Sequence, residues 1–188
     1  MALTNLTNHF LVAMPALRDP NFEKSVTYIC EHSDEGAMGI VINNPLSIPV
    51  REILEQLDID EKAPGIPDTD SPVYLGGPVN GERGFVLHDN DTEWDSTLRV
   101  KDGISVTTSR DILVSIASGK GPQRNLIALG YAGWGSGQLE QELAENAWLA
   151  VPADKAIIFD LPPEERWDAA AAELGVDLSL LSTDTGHA

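Results

Sequence analysis

The sequence predicts an α+β chain: a mostly antiparallel β-hairpin sheet or barrel-like core with about four helices packed around it. Three observations carry that expectation. Short β-rich runs come in pairs joined by polar, glycine-containing loops. Between the pairs lie stretches whose apolar residues recur at helical spacing. One continuous apolar run, Asn125 to Tyr131, has the composition of a buried central strand.

Taken in order, residues 10–15 read as a strand ended by Pro15, followed by the turn Leu17 to Asn21, where Asp19 and Pro20 supply the bend. Ser25 to His32 and Gly39 to Asn44 read as a hairpin across Ser33 to Gly36. Val50, Ile53, Leu54 and Leu57 fall on one stripe of a short helix. Residues 58–72, rich in Asp, Pro and Gly, read as a loop. Val73 to Leu75 and Gly84 to His88 are expected to form a second strand pair across Gly76 to Gly81. The segments 36–42 and 81–87 share the pattern Gly-x-x-Gly-apolar-Val-apolar, which suggests a repeated hairpin. Leu98 to Val100 and Ile104 to Thr107 make another hairpin turning at Asp102 and Gly103. Thr108 or Ser109 then caps a helix carrying Ile112, Leu113 and Ile116 and ending at Gly119. Gly133 to Gly137 reads as a flexible turn before a helix over about 138–148, and 149–159 as one or two strands. Pro162 and Pro163 open a last helix with Trp167, Ala170, Ala171 and Leu174 on its stripe.

At 188 residues one domain, 1–188, is expected, with an ordered core of about 8–175 and a frayed tail beyond Leu181. No apolar run is long enough to span a membrane, and the first ten residues hold no Lys or Arg and no signal-peptide core. Cys30 is the only cysteine, which excludes an internal disulfide and fits a cytoplasmic chain. Twelve Lys and Arg against thirty Asp and Glu give a net charge of −18. Such a surface repels phosphate backbones and anionic lipid, and so argues against direct nucleic-acid or membrane binding. Residues 99–124 run the other way, with five basic groups against two acids.

Two clusters could carry chemistry. On a regular strand Cys30 and His32 share one face, where a thiol and an imidazole could begin a metal site or activate the sulfur. His88 would have to converge on them from elsewhere, and no spacing supplies a third ligand, so no metal and no cofactor is expected. A buried cysteine beside a hydrogen-bonded histidine is the competing reading. The second cluster is Thr107, Thr108, Ser109 and Arg110, at a strand end feeding a helix. Hydroxyls, helix N–H groups and a guanidinium together suit a carboxylate or phosphate; plain helix capping competes. Gly133 to Gly137 lacks the register of a nucleophile elbow, and Gly119-Lys-Gly121 lacks the frame of a phosphate loop. Without a complete catalytic constellation, the balance falls against an enzyme. It favours a binding or regulatory protein whose partner is another protein or a small anionic ligand. A small-molecule domain or enzyme using Cys30, His32 and 107–110 is the alternative.

Several stretches together resemble the AlgH/YqgE family: Met14-Pro to Phe22, Tyr28 to His32, Gly36 to Gly39, Gly76-Gly-Pro-Val79, Arg83 to His88, Ser105 to Ser109, and Gly130 to Trp134 followed by Gly137 to Glu140. The resemblance covers about residues 8–175 in the family's order. It implies a bacterial α+β domain and no particular reaction. One branch is named for an effect on alginate production and is called a transcriptional regulator, which implies an altered output without implying contact with DNA.

Overall fold

The computed structural model describes residues 5–17, 19–20, 22–59, 70–89 and 92–178. In chain order the elements are β1 (His9–Ala13), β2 (Val26–Ser33), β3 (Gly36–Val41), β4 (Pro45–Pro49), α1 (Val50–Gln56), β5 (Pro72–Leu75), β6 (Val79–His88), β7 (Thr97–Lys101), β8 (Ile104–Thr107), α2 (Arg110–Ala117), β9 (Asn125–Gly135), α3 (Gln138–Ala144), β10 (Trp148–Pro152), α4 (Lys155–Phe159), a 3₁₀ turn (Pro163–Glu165) and α5 (Arg166–Ala172). The strands run in the order β10-β1-β2-β3-β9-β6-β8-β7, with β4 and β5 to one side. The result is a curled, mostly antiparallel sheet forming a half-barrel, the α+β fold expected.

Strand β9 is the shared member. Its first half pairs antiparallel with β6 and parallel with β5, and its second half pairs with β3. Strand β5 enters where β3 has parted from β9: Val41 N–H donates to Gly76 O, and Gly76 N–H donates to Leu129 O. The expected hairpin of β5 with β6 therefore does not form. The two strands flank β9 on opposite edges, and the repeat suggested by the glycine pattern is a sequence likeness without a structural one. At the crossing the backbones nearly touch. A Cβ on Gly130 would stand 2.5 Å from Gly77 O, and one on Gly77 would stand 2.1 Å from the Tyr131 carbonyl carbon. Gly130 also holds φ of 79°, which an L side chain resists.

Alternation along the strands divides the core. Tyr28, Cys30, Phe85, Leu87, Leu126 and Ala128 face one cluster, which α4 and α5 cover through Ile157, Ile158, Ala170 and Ala171. Val86 and Ile127 face the opposite side, under Val50 and Leu54 of α1 and Ile112 and Ile116 of α2. Leu11, Ile29, Ala132 and Trp134 pack with Leu139 of α3. Across the curl, Tyr28 OH donates to Asn8 Oδ1 at 2.8 Å and Asn8 Nδ2 donates to Asp102 Oδ2 at 3.0 Å. That chain ties the start of β1 to the β7–β8 turn.

Two further expectations are corrected. Gly133 to Gly135 is not a turn but the end of β9, paired with Gly36 to Met38; only Ser136 and Gly137 turn. Residues 155–159 form α4, not a strand, because Asp154 accepts a capping hydrogen bond from Ala156 N–H. Most of the 58–72 loop and all of the tail beyond Leu181 lie outside the described residues.

The crossing makes a test. Gly130→Ala should cost at least about 2 kcal/mol from positive φ and backbone overlap, roughly 4–8 °C in melting midpoint. Gly84→Ala, with open space at its Cβ position, should stay within about 0.5 kcal/mol. Equal effects in thermal unfolding would refute the crossing as the constraint.

Candidate functional site

Cys30 and His32 do not share a face. The register of β2 on β3 shifts between Ile29 and Glu31, so Ile29 opposes Gly39 while Glu31 opposes Met38. A β-bulge inserts one residue and breaks the two-residue alternation beyond it. Cys30 stays with the cluster of Tyr28 and Phe85, whereas His32, opposite Ala37, turns toward α3. The Cys30 thiol is buried, and burial, helped by the nearby Glu31 charge, pushes its pKa well above the ordinary range. A thiolate is the reactive form, so this is the environment of an inert core cysteine. His32 is tied at both nitrogens. Leu6 N–H donates to Nδ1 at 2.9 Å, which leaves the proton on Nε2 to be donated to Glu140 Oε2 at 2.8 Å. The hydrogen bond from His32, then Glu140's own backbone N–H, hold the Glu140 carboxyl below its ordinary range.

His88, fully buried at the end of β6, lies apart from both. Its Nε2 is 2.7 Å from Thr107 Oγ1, which is 2.7 Å from Thr97 Oγ1, and Thr97 accepts from Trp94 N–H at 2.8 Å. The Trp94 indole meets the imidazole edge to face at 5.1 Å. This chain staples β6, β8 and β7 to the loop before β7. Among the described residues no group of three His, Cys, Asp or Glu side chains could hold a metal ion.

The 107–110 cluster is also divided. Thr107 points to His88. Ser109 is the N-cap residue of α2 but makes no capping bond; its hydroxyl donates to Asp111 Oδ1 at 2.5 Å and accepts from Ser96 N–H at 3.0 Å. Burial raises the Asp111 pKa, but hydrogen bonds from Ser109 and the N–H groups of Asp95 and Ile112 prevail and hold it below the ordinary range. A carboxylate of the chain itself, Asp111, thus already sits at the start of α2. Arg110 reaches back and donates to Leu57 O at 2.9 Å, capping the carbonyl end of α1.

That last contact roofs a cavity of about 400 Å³ between α1, α2 and the β6–β9 surface. Ile53, Leu57, Val86, Leu113, Ile127 and Leu129 form its apolar wall, and Thr107, Thr108, Ser109 and Arg110 border it. A wider cleft of about 860 Å³ opens on the other side, where Cys30 and Thr108 meet Met38, Arg83, Leu98 and Tyr131. His32 borders a neighbouring hollow with Cys30, and His88 lines none of the three. Of the candidates predicted from sequence, Cys30 thus shares one cleft with Thr108 and a hollow with His32, Thr107 to Arg110 gather at the cavity, and His88 lies apart. The apolar wall is not legible as a unit in the sequence because its residues come from four elements, although Ile53 and Leu57, Leu113, and the run 125–131 each stand out there as apolar.

A family model described as AlgH-like matches residues 10–179. The chain belongs to the AlgH-like family. Among its relatives, a UPF0301 protein of Thioalkalivibrio sulfidiphilus is 58% identical over 187 residues, covering 100% of this chain and 99% of that one. A UPF0301 protein of Azoarcus is 57% identical, covering 98% and 97%. The solution structure of the AlgH protein from Pseudomonas aeruginosa superposes with a TM-score of 0.80 at 53% identity, covering 100% of this chain and 98% of that one. A Corynebacterium diphtheriae protein shares the fold at a TM-score of 0.73 and 21% identity, covering 97% and 94%. In this AlgH-like chain the motif residues Gly77 and Gly130 serve the strand crossing, and Tyr28, His32 and His88 serve internal hydrogen bonds.

Two measurements check these assignments. Cys30 should react with an aromatic disulfide reagent about a hundredfold more slowly in the native protein at pH 8 than in denaturant. Comparable rates would mean an accessible thiolate. Glu140's depressed pKa makes its contribution present above the ordinary carboxyl value of 4.5 and lost as pH falls through its folded value. Glu140→Gln should therefore lower the melting midpoint at pH 7, with the gap to the parent closing as pH falls below 4.5. A gap that is constant from pH 7 to pH 3 would remove the His32–Glu140 bond from the account.

Proposed function

We propose that this protein acts by binding, not by catalysis: a cytoplasmic regulatory protein that takes a small ligand in the cavity beneath the Arg110–Leu57 contact. The observation that carries the reading is the cavity's character. At about 400 Å³ it has the size of a small-molecule site, with an apolar wall and a few polar groups gathered at one border. The ligand has an apolar body, which sits against Ile53, Leu113 and Ile127, and one carboxylate or other hydrogen-bonding end near Thr108 and Arg110. Cys30, His32 and His88, the residues singled out as able to do acid, base or nucleophilic work, are buried in the fold, which favours binding over chemistry. The single, unpaired and buried Cys30 supports the cytoplasmic assignment. The net charge of −18 supports an effect on transcription that runs through another protein and not through DNA. No helix among the described residues is long and apolar enough to cross a membrane.

The test is a thermal-shift and amide-NMR titration with medium-chain and aromatic carboxylic acids, on the parent and on Leu113→Trp, whose indole fills the cavity. Ligand at about 100 times its Kd stabilises by about 2.7 kcal/mol, or roughly 5–11 °C here. A shift in the parent that Leu113→Trp abolishes supports the cavity. A shift that survives in Leu113→Trp, or no shift with any acid, overturns it.

A further inference from the structure

Arg166, the first residue of α5, is only 4% exposed. Its Nε donates to Leu161 O at 3.1 Å and its Nη1 to Ile42 O. The guanidinium lies over the Tyr74 ring, 5.1 Å from its centroid. No carboxylate of the described residues lies within 4.0 Å of it: carbonyl dipoles and an aromatic face are its direct partners, and Glu164 acts on its charge only from beyond ion-pair distance. A buried cation without a counter-charge is costly, and arginine cannot escape that cost by losing its proton.

A hollow of about 280 Å³ opens onto this group, lined by Ser71, Tyr74, Gln123, Asn125 and a second arginine, Arg124. Arg124 is pinned by two acids: its Nε is 3.6 Å from Asp89 Oδ2 and its Nη2 is 3.2 Å from Asp160 Oδ2. The Arg124 and Asp160 side chains are 42% and 45% exposed, so that pair is weak and readily exchanged. Asp160 also lines the hollow, as the negative group an incoming anion must displace.

We propose that this hollow is a phosphate-binding site. Arg166 is the fixed floor, preset by Ile42, Leu161 and Tyr74. Arg124 is the movable arm, which leaves Asp160 and closes on the ligand, and the amides of Gln123 and Asn125 donate from the side. Two guanidiniums match a phosphate dianion in charge, and their planar forks suit its oxygens. The inference is independent of the apolar cavity, since it uses a different ligand class and different residues.

The test is isothermal titration with sodium phosphate, and with a simple phosphate monoester, against sodium chloride at equal ionic strength, because salt alone screens a chain of charge −18. Arg166 variants risk unfolding, so the readout rests on two exposed positions. Arg124→Ala should weaken phosphate binding about tenfold or more, as loss of a charge-assisted contact does, and Asp160→Asn should tighten it several-fold. Saturable binding of either phosphate probe with both variant effects supports the site. Binding of inorganic phosphate alone means a free-anion site, and binding of the monoester as well means that a substituted phosphate is admitted. No binding beyond the chloride control, or binding unchanged in Arg124→Ala, overturns the proposal.

Discussion

The fold depends on one backbone crossing. β9 must serve β5 and β6 with its first half and β3 with its second, and it can do so only if its chain passes within van der Waals contact of the β5–β6 connection. Glycine at 77 and 130 is what permits that approach. Everything else is hung on the shared strand. The α1–α2 layer covers one side of its first half, α4 and α5 cover the other, and α3 follows directly from its end. Had β5 and β6 formed the hairpin their sequences suggest, β9 would lose one partner and the two halves of the sheet would separate.

Electrostatics in the second half of the chain works inward as much as outward. Two acids of α3 are structural anchors. Glu142 Oε1 accepts from the indole N–H groups of both Trp134 and Trp148 at 2.9 Å, and Glu140 accepts from His32. Phe22 stacks on Trp134 and meets Trp148 edge to face, so the carboxylate sits on the rim of an aromatic cluster and fixes its orientation. A short helix of seven residues is marginal alone. These contacts, with Leu139 in the core, are what hold it. Likewise Arg124, one of the basic groups of the 99–124 run, is answered by Asp89 and Asp160, and the apparent positive stripe is partly neutralised on folding.

What was legible in the sequence is what local physics decides. Asp102 and Gly103, both at positive φ, make the two-residue turn their types favour, and Gly119 ends α2 at φ of 77°. What was not legible is pairing at a distance. Nothing in Cys30-Glu31-His32 announces a bulge, which arises because β2 must follow the curl against β3, and the bulge alone separates the thiol from the imidazole. The glycines of 133–135 signal flexibility in isolation, but opposite β3 they pass as strand. The 107–110 cluster was found because turn and cap residues stand out. Its division among His88, Asp111 and Leu57 was not, since those partners come from other elements. Arg166 left no trace at all, because its partner carbonyl at Ile42 lies 124 positions away.

The contrast between these groups bears on what the molecule is built to do. His32 is buried with both ring nitrogens hydrogen-bonded, His88 is buried with its Nε2 against Thr107, and Cys30 is held in its neutral form. A catalytic acid or base must exchange its proton with a reacting atom within hydrogen-bond reach, and burial of these groups restricts that reach. Arg166 differs: it donates to two backbone carbonyls, but no carboxylate pairs with it directly and Glu164 acts on it only from a distance. Hydrogen bonding and charge neutralisation are separate requirements, and carbonyl dipoles satisfy the first far better than the second. In this fold the buried guanidinium, and neither His32 nor His88, is the group that faces a polar hollow without a carboxylate in contact.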